Sequence, residues 1–223
     1  MTRTKLCDRI LPDYTKGEEI FNTISHSIGA VFGIVALLTC LFVSISKQNI
    51  WEITASIIYG SSLILLYTMS SVYHGLPKSM AKKVLQVIDH CTIYLLIAGT
   101  YTPVMLCAIR PVSPVWSWTI LSLVWGCAII AAIFTAIDLK KYAKFSMFCY
   151  IGMGWCVVLA IKPTIQAIPI SGILWLFIGG ISYTVGAILY GIGKKHRYVH
   201  SIFHLFVIAG SVFQYLAILF YVL

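Results

Sequence analysis

The stretch Arg197-Tyr-Val-His-Ser-Ile-Phe-His204 places two histidines four residues apart just where a long apolar run begins. In a helix, His200 and His204 then lie on one face, a turn apart. The residues that follow, Leu205 to Leu223, carry no charge. With the leading turn they are long enough to cross a bilayer, which sets both imidazoles roughly 5 to 10 Å inside one membrane boundary. Ionisable side chains at that depth are costly and mark functional positions. The rest of the chain reads as a scaffold that brings other polar groups to the same level.

The composition agrees with this reading. Of 223 residues, 60% are hydrophobic and only 10% charged, which is too apolar for a soluble domain and indicates an all-α, multi-pass membrane protein. A single transmembrane domain is expected over residues 1–223, with 1–19 as a short cytoplasmic lead. The net charge of +9 would suggest nucleic acid in a soluble protein. Here the Lys and Arg residues fall in short loops between apolar runs, so nucleic-acid binding is excluded. Arg3, Lys5, Asp8, Arg9, Asp13, Lys16, Glu18 and Glu19 open the chain with no apolar core ahead of them. A cleaved signal peptide is therefore not expected, and the protein should reside in its own cell membrane. Six of the seven cysteines lie within apolar runs and none forms a Cys-x-x-Cys pair, so they read as packing residues rather than thiolate ligands.

Seven apolar stretches can be drawn: Ile20 to Ser46, Trp51 to His74, Val84 to Ile109, Val115 to Ile137, Phe145 to Ile161, Ile170 to Ile192 and Tyr198 to Leu223. Each approximates one bilayer span, the fifth being the shortest. Gly75 with Pro77, Pro111 with Pro114, and Pro163 with Pro169 stand at the breaks as expected helix stops. Thirteen of the sixteen Lys and Arg residues fall on one side: four at the N-terminus, then Lys78, Lys82 and Lys83, Lys140, Lys141 and Lys144, and Lys194, Lys195 and Arg197. The other side has Lys47, Arg110 and Lys162. Because cytoplasmic loops are basic, the N-terminus is expected inside and the C-terminus outside, the reverse of G-protein-coupled receptors.

Trp51, Trp116, Trp118 and Trp175 fall near helix ends on the outer side and read as interfacial anchors. Gly126, Gly152, Gly154, Gly179, Gly180 and Gly186 read as points of close helix approach. Pro103 should kink the third helix, with Thr100 or Thr102 satisfying a freed carbonyl.

With this topology, His74 ends the second helix, with Ser70 one turn deeper on the same face, and Asp89 follows about 7 Å into the third helix. Both lie at the level of His200 and His204. Three neutral imidazoles from two helices can supply three nitrogens to Zn²⁺ and leave a fourth position for water, the pattern of a catalytic zinc site. Asp89 could be a fourth ligand, or it could orient and deprotonate that water. A lone membrane histidine is more often a hydrogen-bonded packing residue than a ligand; the convergence of three with an acid favours a metal. His90 should point about 100° away from Asp89, toward a headgroup or loop. His196 reads as a solvated interfacial residue. Glu19, Asn22 and His26 recur on one face of the first helix. They are either a helix-start cap, in which Glu19 meets the positive dipole end, or further groups enclosing the site.

These residues resemble a family. Glu19-x-x-Asn22-x-x-x-His26-x-x-Gly29, then Ser70-x-x-x-His74, Asp89, and His200-x-x-x-His204 are similar to the ordered motifs of the progestin and adipoQ receptor (PAQR) family, in its bacterial hemolysin III branch. The resemblance runs from about Glu18 to the C-terminus. It implies a seven-helix protein with an intracellular N-terminus, zinc on His74, His200 and His204, Asp89 on zinc-bound water, and Ser70 nearby. It also implies kinship with alkaline ceramidases and a part in membrane lipid homeostasis. The long N-terminal region of animal receptors has no counterpart here.

Three functions stay open at this point: a zinc hydrolase acting on a lipid amide or ester, a non-enzymatic membrane sensor or regulator with a structural zinc, and a membrane-inserting cytolysin. A membrane-dissolved lipid is the expected partner of the first.

The charge asymmetry makes a direct prediction about topology. A reporter fused after Leu223 should be exposed outside intact cells, while Lys140 and Lys194 should be protected from impermeant reagents. Labelling at Lys140 equal to that of a residue in the loop after Lys47 would refute this orientation.

Overall fold

The computed structural model describes residues 4–192 and 196–223. Arg3, Lys194 and Lys195, three of the residues used to orient the chain, lie outside the described residues. Seven helices among those described are long and apolar enough to cross a membrane: α1 (Lys16–Ser46), α2 (Ile50–Gly75), α3 (Met80–Val112), α4 (Pro114–Ile137), α5 (Ala143–Ala167), α6 (Ile170–Gly191) and α7 (Val199–Tyr221). No strand occurs among the described residues. A bilayer offers no partner for free N–H and C=O groups, so helices are the economical way to satisfy them within each span.

Two helices begin earlier than the apolar pattern suggests, because polar caps extend them. Thr15 and Glu18 form a capping box that starts α1 at Lys16: Glu18 N donates to Thr15 Oγ1 at 3.2 Å, and Thr15 N and Oγ1 each donate to Glu18 Oε2 at 2.8 Å. Ser79 Oγ accepts from Lys82 N at 3.2 Å and starts α3 at Met80, a turn before Val84. Lys82 thereby becomes a buried helical residue rather than part of a loop.

Two of the prolines expected to stop helices lie inside them. Pro111 is the second residue of the closing turn Arg110–Val112. Pro163 is the third residue of Ile161–Ala167, which restarts α5 after a 3₁₀ stretch, Cys156–Ala160. The opening turn of the restarted helix tolerates Pro163 because the N–H it lacks would have no intrahelical partner there. Through this restart α5 reaches 25 residues, so it is longer than α6 and α7 and not the shortest span.

Pro103 is followed by a π-helical stretch, Val104–Ile109. The two threonines do not take the carbonyl of Gly99, which Pro103 leaves without its usual donor. Thr100 Oγ1 donates instead to Leu96 O at 2.8 Å and Thr102 Oγ1 to Ala98 O at 2.9 Å. Ser117 Oγ of α4 donates to Met105 O, inside the π stretch, at 2.7 Å.

α1 packs most extensively on α2, α2 on α3, α3 on α4, and α6 on α7, while α7 returns to α1. The glycines that permit this are mostly not those picked from sequence. Gly126, Gly152 and Gly154 have open space where a Cβ would stand, and Gly180 has only ordinary contact. At Gly29, Gly60 and Gly99 a Cβ would come within 2.5, 2.5 and 2.3 Å of Tyr67, Leu37 and Ser62 respectively; Gly179 and Gly186 do face α7 closely. Polar ties cross the bundle, among them Tyr67 OH donating to Ser211 Oγ at 2.6 Å and Trp125 Nε1 to Thr102 Oγ1 at 3.2 Å.

Residues 4–15 lie across one end of the bundle as a strap. Thr4 N donates to Asp138 Oδ2 at 2.8 Å, Arg9 Nη2 to Ile137 O at 3.2 Å, and Lys78 Nζ to Asp13 Oδ1 at 2.7 Å, while Lys83 Nζ donates to Cys7 O. The Thr4 amide, followed by the Lys141 amide and the charge of Arg9, holds the Asp138 carboxyl down to about 2. A depressed carboxyl stabilises the fold above the ordinary carboxylate pKa, so this contribution is full at neutral pH and fades as the pH falls toward 2.

The glycine contacts predict a contrast. Gly60→Ala should lower the melting temperature in detergent, costing about 1–3 kcal/mol through overpacking against Leu37, whereas Gly126→Ala should leave it unchanged. Equal melting of both variants would contradict the α1–α2 packing described.

Candidate metal centre

The site assembles where α1, α2, α3 and α7 meet beneath the strap. His74 lies in the last turn of α2, and His200 and His204 occupy the first two turns of α7. Their Nε2 atoms converge: His204 to His200 at 3.1 Å and His200 to His74 at 3.4 Å. These three residues form the only group of three or more His, Cys, Asp or Glu suited to hold a metal ion among the described residues, with the three ligand atoms within 4.8 Å of one another. His74 and His204 are buried and His200 is half-buried.

The donor set fits a cation. An imidazole nitrogen carries in its ring plane either a proton or a lone pair, so His200 Nε2 cannot form linear hydrogen bonds to both neighbours at once. A positive ion between the three satisfies all of them. Tetrahedral coordination at Zn–N of about 2.0–2.1 Å requires nitrogens about 3.3 Å apart, close to the two separations of 3.1 and 3.4 Å, and all three nitrogens lie within 4.8 Å of one another.

The orientation of His74 is fixed from behind. Glu19 Oε2 lies 2.7 Å from His74 Nδ1, and Lys82 Nζ donates to Glu19 Oε1 at 2.6 Å. A carboxylate on Nδ1 holds the proton there and turns the Nε2 lone pair toward the other imidazoles. Asn22 Nδ2 stands 3.4 Å from the same Nδ1. Lys82 Nζ also donates to Leu76 O at 2.8 Å and His74 O at 3.3 Å, closing the end of α2. Of the two readings of the first-helix polar face, the cap falls to Glu18, while Glu19 and Asn22 face the imidazoles.

His26 stacks on His204, with ring centroids 3.7 Å apart, and meets Tyr67 edge-on. Both its ring nitrogens are buried without a hydrogen-bond partner among the described residues. Asp89 lies outside the nitrogen trio. It takes a side-chain hydrogen bond from Ser70 and interacts electrostatically with His74 and His90. His90 departs from the expected loop or headgroup contact: its Nδ1 is 2.8 Å from Gln86 O and its Nε2 3.0 Å from Tyr190 OH, so it ties α3 to α6. Tyr190, in the last turns of α6, brings its hydroxyl to that face of α3. His196 is exposed, as read from sequence.

Sequence reasoning missed Lys82, assigned to a loop, and Tyr14, which is stacked on His200 with centroids 4.9 Å apart and lies 5.6 Å from His74. Ser79, an N-cap type of residue directly before Met80, could have revealed the earlier helix start that makes the lysine helical. Tyr14 carries no comparable local signal. The register of α7 is set by Tyr198, whose backbone is left-handed at φ 60° and whose N–H donates to Glu18 Oε1 at 2.6 Å.

The family described as Haemolysin-III related matches residues 14–215, a range that contains every residue of this site. Over 208 residues the chain is 38% identical to the Hemolysin-3 homolog of Bacillus subtilis (strain 168), covering 93% of this chain and 96% of the relative. It is 40% identical over 206 residues to Hemolysin-3 of Bacillus cereus, covering 92% of each. A more distant similarity, 28% over 211 residues, joins it to the human Monocyte to macrophage differentiation factor, covering 90% of this chain and 83% of that one.

The ion pair between buried Lys82 and half-buried Glu19 predicts unequal roles for neighbouring lysines. Lys82→Met should destabilise the protein by about 1–2 kcal/mol, because half-buried Glu19 loses its charged partner. Lys78→Met removes only an exposed pair with Asp13 and should leave the stability essentially unchanged. Denaturation followed by tryptophan fluorescence would separate the two.

Proposed function

The chain belongs to the Haemolysin-III related family, and we propose that in this integral membrane protein His74, His200 and His204 hold a zinc ion that serves hydrolysis of a lipid amide or ester. The observation that carries the reading is the convergence of three Nε2 atoms at 3.1 and 3.4 Å with a carboxylate, Asp89, outside the trio but coupled to it. A bound zinc ion supplies Lewis acidity and lowers the pKa of water to about 7. Glu19 and Lys82 keep the His74 lone pair pointed inward. Asp89, steadied by the Ser70 hydroxyl, takes the proton that water loses as its oxygen joins the acyl carbon. It passes that proton to the departing nitrogen or oxygen as the acyl bond breaks, giving a fatty acid and an amine or alcohol. Apolar spans on every side suit a substrate delivered through the membrane.

A regulatory reading has one observation in its favour: the trio joins α2 to α7, so a metal there also fastens the bundle. With the orientation read from charge, the site lies at the cytoplasmic level.

Purified protein is expected to hold about one zinc per chain, lost from the His200→Ala, His204→Ala double variant. Asp89→Asn should retain zinc yet release fatty acid from ceramides and phospholipids at least about 10²-fold more slowly. Equal release by wild type and Asp89→Asn would remove the assigned role of Asp89, and no release by either would favour the regulatory reading.

A further inference from the structure

We propose that Tyr14 is a catalytic residue whose hydroxyl donates a hydrogen bond to the carbonyl oxygen of the lipid substrate as that oxygen gains negative charge. The inference rests on the hydrolytic reading above and names a donor that its residues leave unassigned. Three tyrosines surround the imidazole trio. Tyr73 lies 4.6 Å from His74, Tyr190 lies 5.8 Å from His200, and Tyr14 is stacked on His200 at 4.9 Å while also 5.6 Å from His74, all between ring centroids. Tyr14 and Tyr73 share the electrostatic surroundings of Asp89 and Glu19, and Tyr190 that of Asp89.

Two of these hydroxyls are already engaged. Tyr190 OH meets His90 Nε2 at 3.0 Å, and Tyr73 hydrogen-bonds Gln86. Tyr14 OH has no hydrogen bond to any described residue. Its ring is half-buried and spans two of the three imidazoles, so the phenol is held in place by its face while its polar tip stays free. Hydrolysis needs such a donor. When water oxygen adds to the acyl carbon, the carbonyl π electrons move onto oxygen, and a prearranged O–H stabilises that charge more in the transition state than in the ground state. Tyr14 transfers no proton in this role. The C–N or C–O bond breaks as the electrons return, and the proton reaches the leaving group from Asp89.

The strap supplies the positioning. Thr15, next to Tyr14, caps α1 and sets the direction of the chain there, while Asp13 on the other side makes only an exposed pair with Lys78.

Tyr14→Phe keeps the ring stack and removes only the hydroxyl. For a lipid that the zinc-loaded wild type hydrolyses, this variant should keep its metal content and melting temperature while kcat falls about 10²-fold and KM changes little. Unchanged kcat would overturn the proposal. A second arm needs no turnover: a long-chain alkylphosphonate, a tetrahedral anion, should bind the zinc-loaded Tyr14→Phe protein at least about tenfold more weakly than wild type in detergent micelles. If the wild type hydrolyses nothing, weaker phosphonate binding keeps the Tyr14 contact and discards only the hydrolase, while equal binding discards the contact.

Discussion

A carboxylate that grips a lysine with one oxygen and an imidazole with the other is the interaction on which the site depends. Glu19 binds Lys82 at 2.6 Å and His74 at 2.7 Å. Remove it and His74 can turn either nitrogen inward, with a proton on the wrong one. The lysine is equally bound: three acceptors from two helices surround its ammonium group. The buried ammonium of Lys82 and the half-buried carboxylate of Glu19 thereby answer each other, which is the condition under which such charges persist away from water. The pair also joins α1, α2 and α3 at one point, so the direction of one lone pair and the packing of three helices have a common cause.

Much of this architecture was legible because a bilayer imposes a coarse grammar. About 20 apolar residues per crossing is a demand that composition alone reveals, and seven such runs are present. The histidines were legible for a related reason: polar residues are rare enough in such runs that those present stand out. What escaped reading lay at helix ends. The apolar pattern starts at Val84, but the helix starts at Met80 because a serine cap adds a turn, and the added turn carries Lys82 into the bundle. A lysine near a loop looks like a topology signal whether or not it is buried.

The glycines and prolines show a second limit. A glycine matters through what faces it, and the partners of Gly29, Gly60 and Gly99 sit on other helices. The open surroundings of Gly126, Gly152 and Gly154 are just as invisible in one dimension. Pro163 was read as an end because proline breaks a continuing helix; a 3₁₀ interruption turns the same residue into part of a beginning. Tyr14 was passed over for the most basic reason, since it comes from outside the spans and reaches the imidazoles only once the strap is laid across the bundle.

The left-handed residue at the start of α7 fixes an angle as well as a boundary. Tyr198 gives its N–H to Glu18, the residue beside Glu19, so the first turn of α7 is clamped to the same turn of α1 that steers His74. Rotation of α7 about its own axis is thus indexed against α1, and the two helices share an azimuthal zero. One residue added between Tyr198 and His200 would advance both α7 imidazoles by about 100° and aim them away from His74, although composition and span length would hardly change.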